Sequence, residues 1–189
     1  MTEKQKLIEI RWHGRGGQGA VTSAELLARA AINEGKYAQA FPSFGPERRG
    51  APVLAFDRIS EDEQIRVRAE ITEPDVIVIL DSGLVRIVDV TAGLKEHGII
   101  VANSKKPAGE LAAEFGNGWK VAAVDATKIA KEILGVNIVN TTMLGALLRA
   151  TGVVDIESLA EPLQDRFGRL AERNMNAMKA AFEQTGIKE

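Results

Sequence analysis

The sequence predicts an α/β protein built on a mostly parallel, doubly wound (Rossmann-like) sheet. Three observations favour this fold class. Short apolar runs alternate with amphipathic patterns, as expected where helices cross between parallel strands. A glycine cluster joins the first run to the first helical pattern. Two later strand-like runs share a short connection, which predicts an inserted antiparallel hairpin. The 189 residues suffice for a single domain, with a helical C-terminal extension over about 156–189.

The first half of the chain begins with a strand, a glycine turn and a helix. The strand is predicted over 7–12, and four glycines then fall within six residues, 14–19. A helical pattern follows over 20–31, and a second strand over 37–41. A strand, a glycine turn and a helix N-terminus form the geometry that cradles a phosphate with backbone N–H groups.

The predicted hairpin occupies the next segment. Its strands would cover 51–60 and 64–68, joined by three acidic residues. In the second strand Ile65 and Val67 would face the core, while Arg66 and Arg68 would face water.

The second half continues the alternation. Nearly continuous apolar runs predict buried strands, and the patterns between them predict helices. After Asn140, Thr141 or Thr142 can cap a helix that ends near Gly152. Further helices are expected up to residue 185, with Pro162 in a first turn. The predicted strands cover 74–80, 98–102 and 120–124, and the predicted helices 84–97 and 126–134.

Composition excludes several classes of protein. The net charge of −2 gives no reason to expect a nucleic-acid partner. The chain has no cysteine, so it forms no disulfide and supplies no thiolate to an iron–sulfur cluster. Neither a signal-type segment nor an apolar stretch near the ~20 residues of a membrane span is evident. We expect a cytoplasmic protein with no membrane span.

The glycine turn lacks the marks of two familiar sites. Gly14, Gly16 and Gly19 fit G-x-G-x-x-G, but no acid for a ribose follows the second strand before Glu47. Gly14 to Gly19 also has P-loop spacing, but Ala20 stands where the phosphate-binding lysine belongs. What remains is either an anion or partner site at a helix N-terminus or a turn that only allows tight packing.

A second segment, 41–52, is dense in glycine, proline, aromatic and basic residues. Arg48 and Arg49 offer fork-shaped donors for phosphate or carboxylate. Phe41 and Phe44 would be costly to expose unless a partner covers them. The segment follows the second strand, so it should lie at the same sheet edge as the glycine turn. The alternative is a loop packed on its own domain, with its arginines in solvent.

Together these segments resemble the gamma subunit of the 2-oxoacid:ferredoxin oxidoreductases. The resemblance runs from about Ile8 to Phe182 and includes the strand that begins at Pro74. The segments that carry it are Trp12-His13-Gly14-Arg15-Gly16-Gly17-Gln18-Gly19-Ala20, Tyr37-Ala38-Gln39-Ala40-Phe41-Pro42, Gly45-Pro46-Glu47-Arg48-Arg49-Gly50-Ala51-Pro52 and Asn140-Thr141-Thr142-Met143-Leu144-Gly145-Ala146.

The resemblance implies a subunit that is not catalytic alone. In the family, a 2-oxoacid, coenzyme A and an oxidised acceptor, usually ferredoxin, give an acyl-CoA, carbon dioxide and the reduced acceptor. Thiamine diphosphate, Mg and the iron–sulfur clusters would belong to the alpha, beta and delta-type partner subunits. The segment 45–52 looks more like that of pyruvate or branched-chain enzymes than that of 2-oxoglutarate enzymes, and aryl 2-oxoacids are a further alternative. The alternatives are a purely structural assembly module or a stand-alone enzyme that binds CoA or a nucleotide.

The resemblance and the residues also give a set of candidate sites. The candidates for binding the CoA phosphates at a shared site are Arg15, Gly16, Gly17, Gln18, Gly19, Arg48 and Arg49. The candidates for a subunit interface are Phe41, Pro42, Phe44, Gly45, Pro46 and Glu47.

Other polar residues have simpler interpretations. Asp81, Asn103 and Asp125 each follow an apolar strand and are expected to cap the next helix or turn. His13 is expected to be packed rather than to contact a ligand. His97 is placed at a helix end. With two histidines far apart in sequence, we predict no metal site.

Overall fold

The computed structural model describes residues 7–43, 49–116 and 118–189. Within these ranges seven strands form one mixed sheet in the order β2-β3-β1-β4-β5-β6-β7. The strands are β1 (Leu7–Arg15), β2 (Tyr37–Pro42), β3 (Pro52–Ser60), β4 (Val76–Ile79), β5 (Ile99–Asn103), β6 (Lys120–Val124) and β7 (Gly186–Lys188).

Six α-helices are found in the described ranges, joined in places by short 3₁₀ segments. The helices are α1 (Ala20–Asn33), α2 (Ala108–Phe115), α3 (Ala126–Ile133), α4 (Asn140–Thr151), α5 (Ala160–Phe167) and α6 (Ala171–Gln184). The 3₁₀ segments are Ser82–Arg86, Ile156–Leu159 and Gly168–Leu170.

The predicted parallel core is confirmed. Strands β1, β4, β5 and β6 are parallel neighbours, and every residue of β4 is fully buried. Strand β3 lies between β2 and β1 and is antiparallel to both, so β2 runs in the same direction as β1. The carboxyl ends of β1 and β2 therefore lie at one edge, as the sequence predicted.

The prediction of a second hairpin strand over 64–68 is wrong. Residues 64–68 lie outside every strand, and β3 pairs with β2 and β1 instead. The carbonyl of Ile65 accepts a hydrogen bond from Gln39 Nε2 at 2.8 Å, and that of Val67 accepts one from Arg58 at 3.2 Å. Side chains take these acceptors in place of a ladder partner, and Val67 is 58% exposed rather than in the core.

The predicted helix over 84–97 is also wrong. A 3₁₀ segment ends at Arg86, and turns follow. Arg11 donates to the carbonyls of Val90 and Ala92, which a helix would need as acceptors. Gly93 has φ +74°, and a Cβ there would lie 2.0 Å from the carbonyl oxygen of Thr72, so the chain can turn here only with glycine. His97, also at positive φ, lies in this irregular segment and not at a helix end.

Helix α4 forms the centre of the layer that also contains α1 and α6. Nine consecutive residues, 140–148, are buried. The predicted threonine caps are wrong, because Val139 is the N-cap and Thr141 Oγ1 instead donates to Asn174 Oδ1 of α6 at 2.7 Å. The predicted end is confirmed, since Gly152 forms the C-cap with φ 63°. The C-terminal segment contributes α5 and α6 to the fold and ends in β7, a strand that the sequence did not predict.

Candidate functional site

The glycine turn connects β1 to α1 at the carboxyl edge of the sheet. Gly17 and Gly19 have φ values of +91° and +83°, and Gly19 is the N-cap of α1. The Gln18 N–H donates to Arg15 O at 2.9 Å, which closes the turn. The N–H groups of Gly17 and Gly19 donate to no described residue, and Gly17 is exposed. The turn therefore presents free donors beside the positive end of the α1 dipole.

The N-terminus of a second helix packs against this turn. A Cβ on Gly19 would lie 2.6 Å from Nδ2 and 2.9 Å from Cγ of Asn140, the first residue of α4. Two of the segments that carry the family resemblance thus touch each other directly. The sequence did not reveal this contact, because Gly19 and Asn140 are far apart along the chain.

Asp81 anchors the turn from the end of β4. Its Oδ2 accepts hydrogen bonds from Arg15 Nε at 2.8 Å and Gln18 Nε2 at 3.0 Å, and its Oδ1 accepts one from the Gly83 N–H at 2.8 Å. Burial raises the pKa of the Asp81 carboxyl, but the donors Gln18, Gly83 and Arg15 outweigh it and hold the pKa below its ordinary value. Asp81 is therefore a cap, as expected, and also the anchor of two predicted site residues.

These contacts change the predicted roles of Arg15 and Gln18. Arg15 also donates from Nη1 to Gly50 O at 3.2 Å, so its guanidinium is committed to neighbouring segments. Gln18 Oε1 accepts from the Arg15 N–H at 2.8 Å, which occupies its side-chain oxygen as well. Both side chains hold the turn in shape. Their role as phosphate ligands stays a prediction.

The arginine segment is joined to the turn by backbone hydrogen bonds. The Gly16 N–H donates to Ala51 O at 2.9 Å, and the Gly50 N–H donates to Gly16 O at 3.1 Å. This bridge places Arg49 beside the turn, as predicted, and removes the Gly16 N–H from the available donors. Arg49 is exposed and contacts no described residue through its guanidinium. Arg48 lies outside the described residues.

Part of the predicted interface is internal. Phe41 is 5% exposed and packs on Phe56, with ring centroids 5.2 Å apart. The Arg58 guanidinium lies over the Phe41 ring at 5.5 Å, and Ile71 completes the cluster. Phe41 is therefore a core residue and not an interface residue, because the chain itself covers it. Pro42 is exposed. Phe44, Gly45, Pro46 and Glu47 lie outside the described residues.

The expected capping role is confirmed for Asp125 but is wrong for Asn103, because α2 begins after Pro107 with no side-chain cap and Asn103 contacts α3 instead. Asp125 accepts from the Lys128 N–H at 2.9 Å and caps α3. Asn103 Oδ1 accepts from the Thr127 N–H at 3.2 Å, and its Nδ2 donates to Leu80 O at 3.0 Å. These residues tie α3 and the ends of the strands together.

His13 is packed, as expected, but its partner is unusual. It is 4% exposed, and Nε2 accepts from Arg11 Nε at 3.0 Å. Burial, followed by the adjacent Arg11 charge, lowers the pKa of His13 to about 3. The imidazole is therefore neutral at physiological pH.

A buried carboxyl lies on the opposite face of the first strands. Asp57 is fully buried and accepts from Trp12 Nε1 at 2.7 Å. Burial raises the pKa of the Asp57 carboxyl well above its ordinary value, and the hydrogen bond from Trp12 only partly opposes this rise. Neither this residue nor the buried Arg11 was singled out from the sequence, because nothing in their local patterns marks them as internal.

Two features are absent from the described ranges. They contain no group of three or more His, Asp or Glu placed to hold a metal ion. In the same ranges no helix has the length and apolar character needed to cross a membrane.

The fold and this edge define a doubly wound α/β domain with a glycine turn that has neither a ribose-binding acid nor a P-loop lysine. The family described as pyruvate ferredoxin/flavodoxin oxidoreductase matches residues 9–184. The chain belongs to this family, as a gamma subunit of the pyruvate synthase type.

Individual relatives match over nearly their whole length. The pyruvate/ketoisovalerate oxidoreductases common subunit gamma of Thermococcus litoralis is 55% identical, with 97% of this chain and 100% of the relative covered. Pyruvate synthase subunit PorC of Methanothermobacter marburgensis is 53% identical, with 94% and 97% covered. The crystal structure of pyruvate oxidoreductase subunit PORC of Thermotoga maritima superposes with a TM-score of 0.86 at 38% identity, with 98% and 100% covered.

Proposed function

We propose that this gamma subunit closes the coenzyme A site of the assembled oxidoreductase and carries no catalytic group itself. In this proposal the alpha, beta and delta-type subunits hold thiamine diphosphate, Mg and the iron–sulfur clusters, and they pass electrons to ferredoxin. The absence of cysteine fits this division, because cluster ligation requires thiolates in most such sites.

One observation carries the proposal. The N–H groups of Gly17 and Gly19 have no acceptor among the described residues, and the exposed guanidinium of Arg49, on the segment bridged to the same turn, contacts none of the described residues. Free N–H groups at a helix N-terminus together with a fork-shaped cation make a suitable receptor for a phosphate. Coenzyme A brings three phosphates to the enzyme, and its pyrophosphate is the group we place here.

The other residues of the edge would act by holding this receptor in shape. Asp81 fixes Arg15 and Gln18, and Asn140 supports Gly19 from α4. A preformed receptor avoids the cost of ordering the turn when the ligand binds. The chain would thus bind and orient the phosphates of coenzyme A, while the thiol reacts at a centre in the partner subunits.

For the oxoacid, we propose pyruvate. All three proteins compared above carry pyruvate in their names, and one also carries ketoisovalerate. A branched-chain 2-oxoacid is therefore the second candidate. In either case the gamma chain meets coenzyme A and leaves the choice of oxoacid to its partners.

The proposal is tested by substituting Arg49 in the assembled enzyme. Loss of one charge-assisted contact of about 1.5–3 kcal/mol should raise the KM for coenzyme A on the order of 10- to 100-fold. The KM for pyruvate should stay unchanged. Lys131→Ala is the matched control, because Lys131 is an exposed cation in the last turn of α3, towards the opposite edge of the sheet. An Arg49→Ala enzyme that assembles and keeps its KM for coenzyme A contradicts the proposal.

A further inference from the structure

A cavity of about 400 Å³ opens at the carboxyl end of β1, on the face of the sheet opposite α1. Arg11 and His13 alternate along β1 with core residues of the α1 side, so both side chains point to this second face. The walls are mostly apolar, with Leu54, Leu84 and Val88 among the lining residues.

Arg11 determines which nitrogen of His13 carries the proton. The Arg11 Nε–H donates to His13 Nε2 at 3.0 Å, and Arg11 also donates to the carbonyls of Val90 and Ala92. A guanidinium has no acceptor, so His13 Nε2 must be the unprotonated nitrogen. The proton then sits on Nδ1, and Nδ1–H has no acceptor among the described residues. His13 lines the cavity, so this N–H is a neutral donor at the cavity wall, and an occupant with a hydrogen-bond acceptor can engage it.

The charges around the cavity favour a neutral occupant. His13 stays neutral at physiological pH and so offers a neutral donor. Arg11 is committed to three acceptors, and the carboxylate of Asp89 also lines the cavity and repels anions. Apolar walls with one neutral donor suit an uncharged carbonyl on an aliphatic chain better than a phosphate or a carboxylate.

The position of the cavity points to a particular chain of this kind. Gly14 lines the cavity and immediately precedes the turn that holds Gly17, while Ser43 and Pro52 line it from either side of the arginine segment. A ligand whose phosphates lie at the turn would therefore extend into the cavity. We propose that the cavity binds the pantetheine arm of coenzyme A, with the Nδ1–H of His13 donating to one of its amide carbonyls. This inference rests on the proposed function.

The test uses the assembled enzyme, with free pantetheine as a competitive inhibitor against coenzyme A. Pantetheine has the amide-bearing arm but no phosphate. His13→Leu removes the donor and should raise both the KM for coenzyme A and the Ki of pantetheine by about tenfold, the change typical of one neutral hydrogen bond. His13→Asn keeps an N–H near the position of Nδ1 and should restore both constants to within about twofold of the original enzyme. For each constant, the ratio of the His13→Leu value to the value of the original enzyme should be the same at pH 6 and pH 8, because the imidazole of His13 is neutral at both.

Arg49→Ala separates this inference from the proposed function. It should raise the KM for coenzyme A and leave the Ki of pantetheine unchanged, since pantetheine has no phosphate for Arg49 to contact. If His13→Leu leaves both constants unchanged while Arg49→Ala raises the KM, the proposed function stands and the cavity assignment is overturned. If Arg49→Ala also has no effect, the proposed function fails too. Failure of millimolar pantetheine to inhibit the original enzyme, or no recovery with His13→Asn, also overturns the assignment.

Discussion

Replacing Gly19 with alanine tests the packing of the turn against α4. The residue has φ +83°, where an L-residue with a Cβ costs about 1–2 kcal/mol. The new Cβ would also lie 2.6 Å from Nδ2 and 2.9 Å from Cγ of Asn140. Relief requires a movement of the Asn140 side chain or of the first turn of α4, and overpacking of this kind costs about 1–3 kcal/mol. The sum is a loss of roughly 2–5 kcal/mol in the free energy of unfolding.

Gly17→Ala is the matched control. Gly17 has φ +91° in the same turn, but nothing lies within 4 Å of its Cβ position, so only the backbone cost of about 1–2 kcal/mol applies. The assay is urea unfolding of the purified chain followed by circular dichroism. Asn140→Ala should recover part of the loss in the Gly19→Ala background, because it removes Cγ and Nδ2. The reasoning is refuted if Gly19→Ala is no less stable than Gly17→Ala, or if the two substitutions at 19 and 140 are additive.

Three further predictions concern stability and can be measured by the same unfolding assay. Gly145→Ala should destabilise the chain by about 2 kcal/mol or more, because the new Cβ would lie 2.0 Å from Met178 O. Its control is Gly109→Ala in the open first turn of α2, which should be neutral or stabilising. Equal effects of the two substitutions would contradict this prediction. Asp81→Asn should destabilise by about 1 kcal/mol at pH 7, and since the native pKa of Asp81 is lowered, the difference should vanish as pH falls through that pKa; a pH-independent difference would count against the anchor. Asp57→Asn should gain stability relative to the original chain as pH rises from about 4, the ordinary pKa of an aspartate, towards the raised native pKa of Asp57, because the original chain loses stability over that range. Parallel pH profiles of the two chains would contradict a raised pKa.

The parallel core was predictable because its signals are local. The run that became β4 is apolar at every position, which only a strand buried on both faces requires, and the glycine turn marked the junction of β1 with α1. The direction of β2, and with it the meeting of the two motif segments at one edge, also followed from the sequence.

The hairpin failed because alternation alone does not supply a ladder partner. Residues 64–68 alternate like a strand, yet β3 was already paired on both sides with β2 and β1. Side chains of Gln39 and Arg58 then took the carbonyls that a neighbouring strand would have used. Which strand pairs with β3 depends on the whole sheet, and a local sequence pattern does not contain that information.

The two segments of the candidate site meet as predicted, and contacts within the chain add structural roles to some of their residues, whereas the binding roles stay predictions. Proximity of the turn and the arginine segment was predicted, and the backbone bridge between Gly16 and the segment 49–51 provides it. The commitment of Arg15 to Asp81 depends on the neighbouring strand β4, 66 residues away along the chain. The contact between Arg11 and His13 could have been predicted from the sequence, since both residues lie on one face of a strand. Their burial could not.

The central claim is that coenzyme A contacts this chain at the glycine turn. Hydrogen exchange of the assembled enzyme, measured with and without saturating coenzyme A, tests it most directly. The amides of Gly17 and Gly19 have no acceptor within the described part of the chain, so without the ligand they should exchange quickly. With coenzyme A bound, peptides that cover 14–20 and 49–54 should exchange at least about tenfold more slowly. Unchanged exchange in both peptides, under conditions where the enzyme is saturated, would contradict the claim.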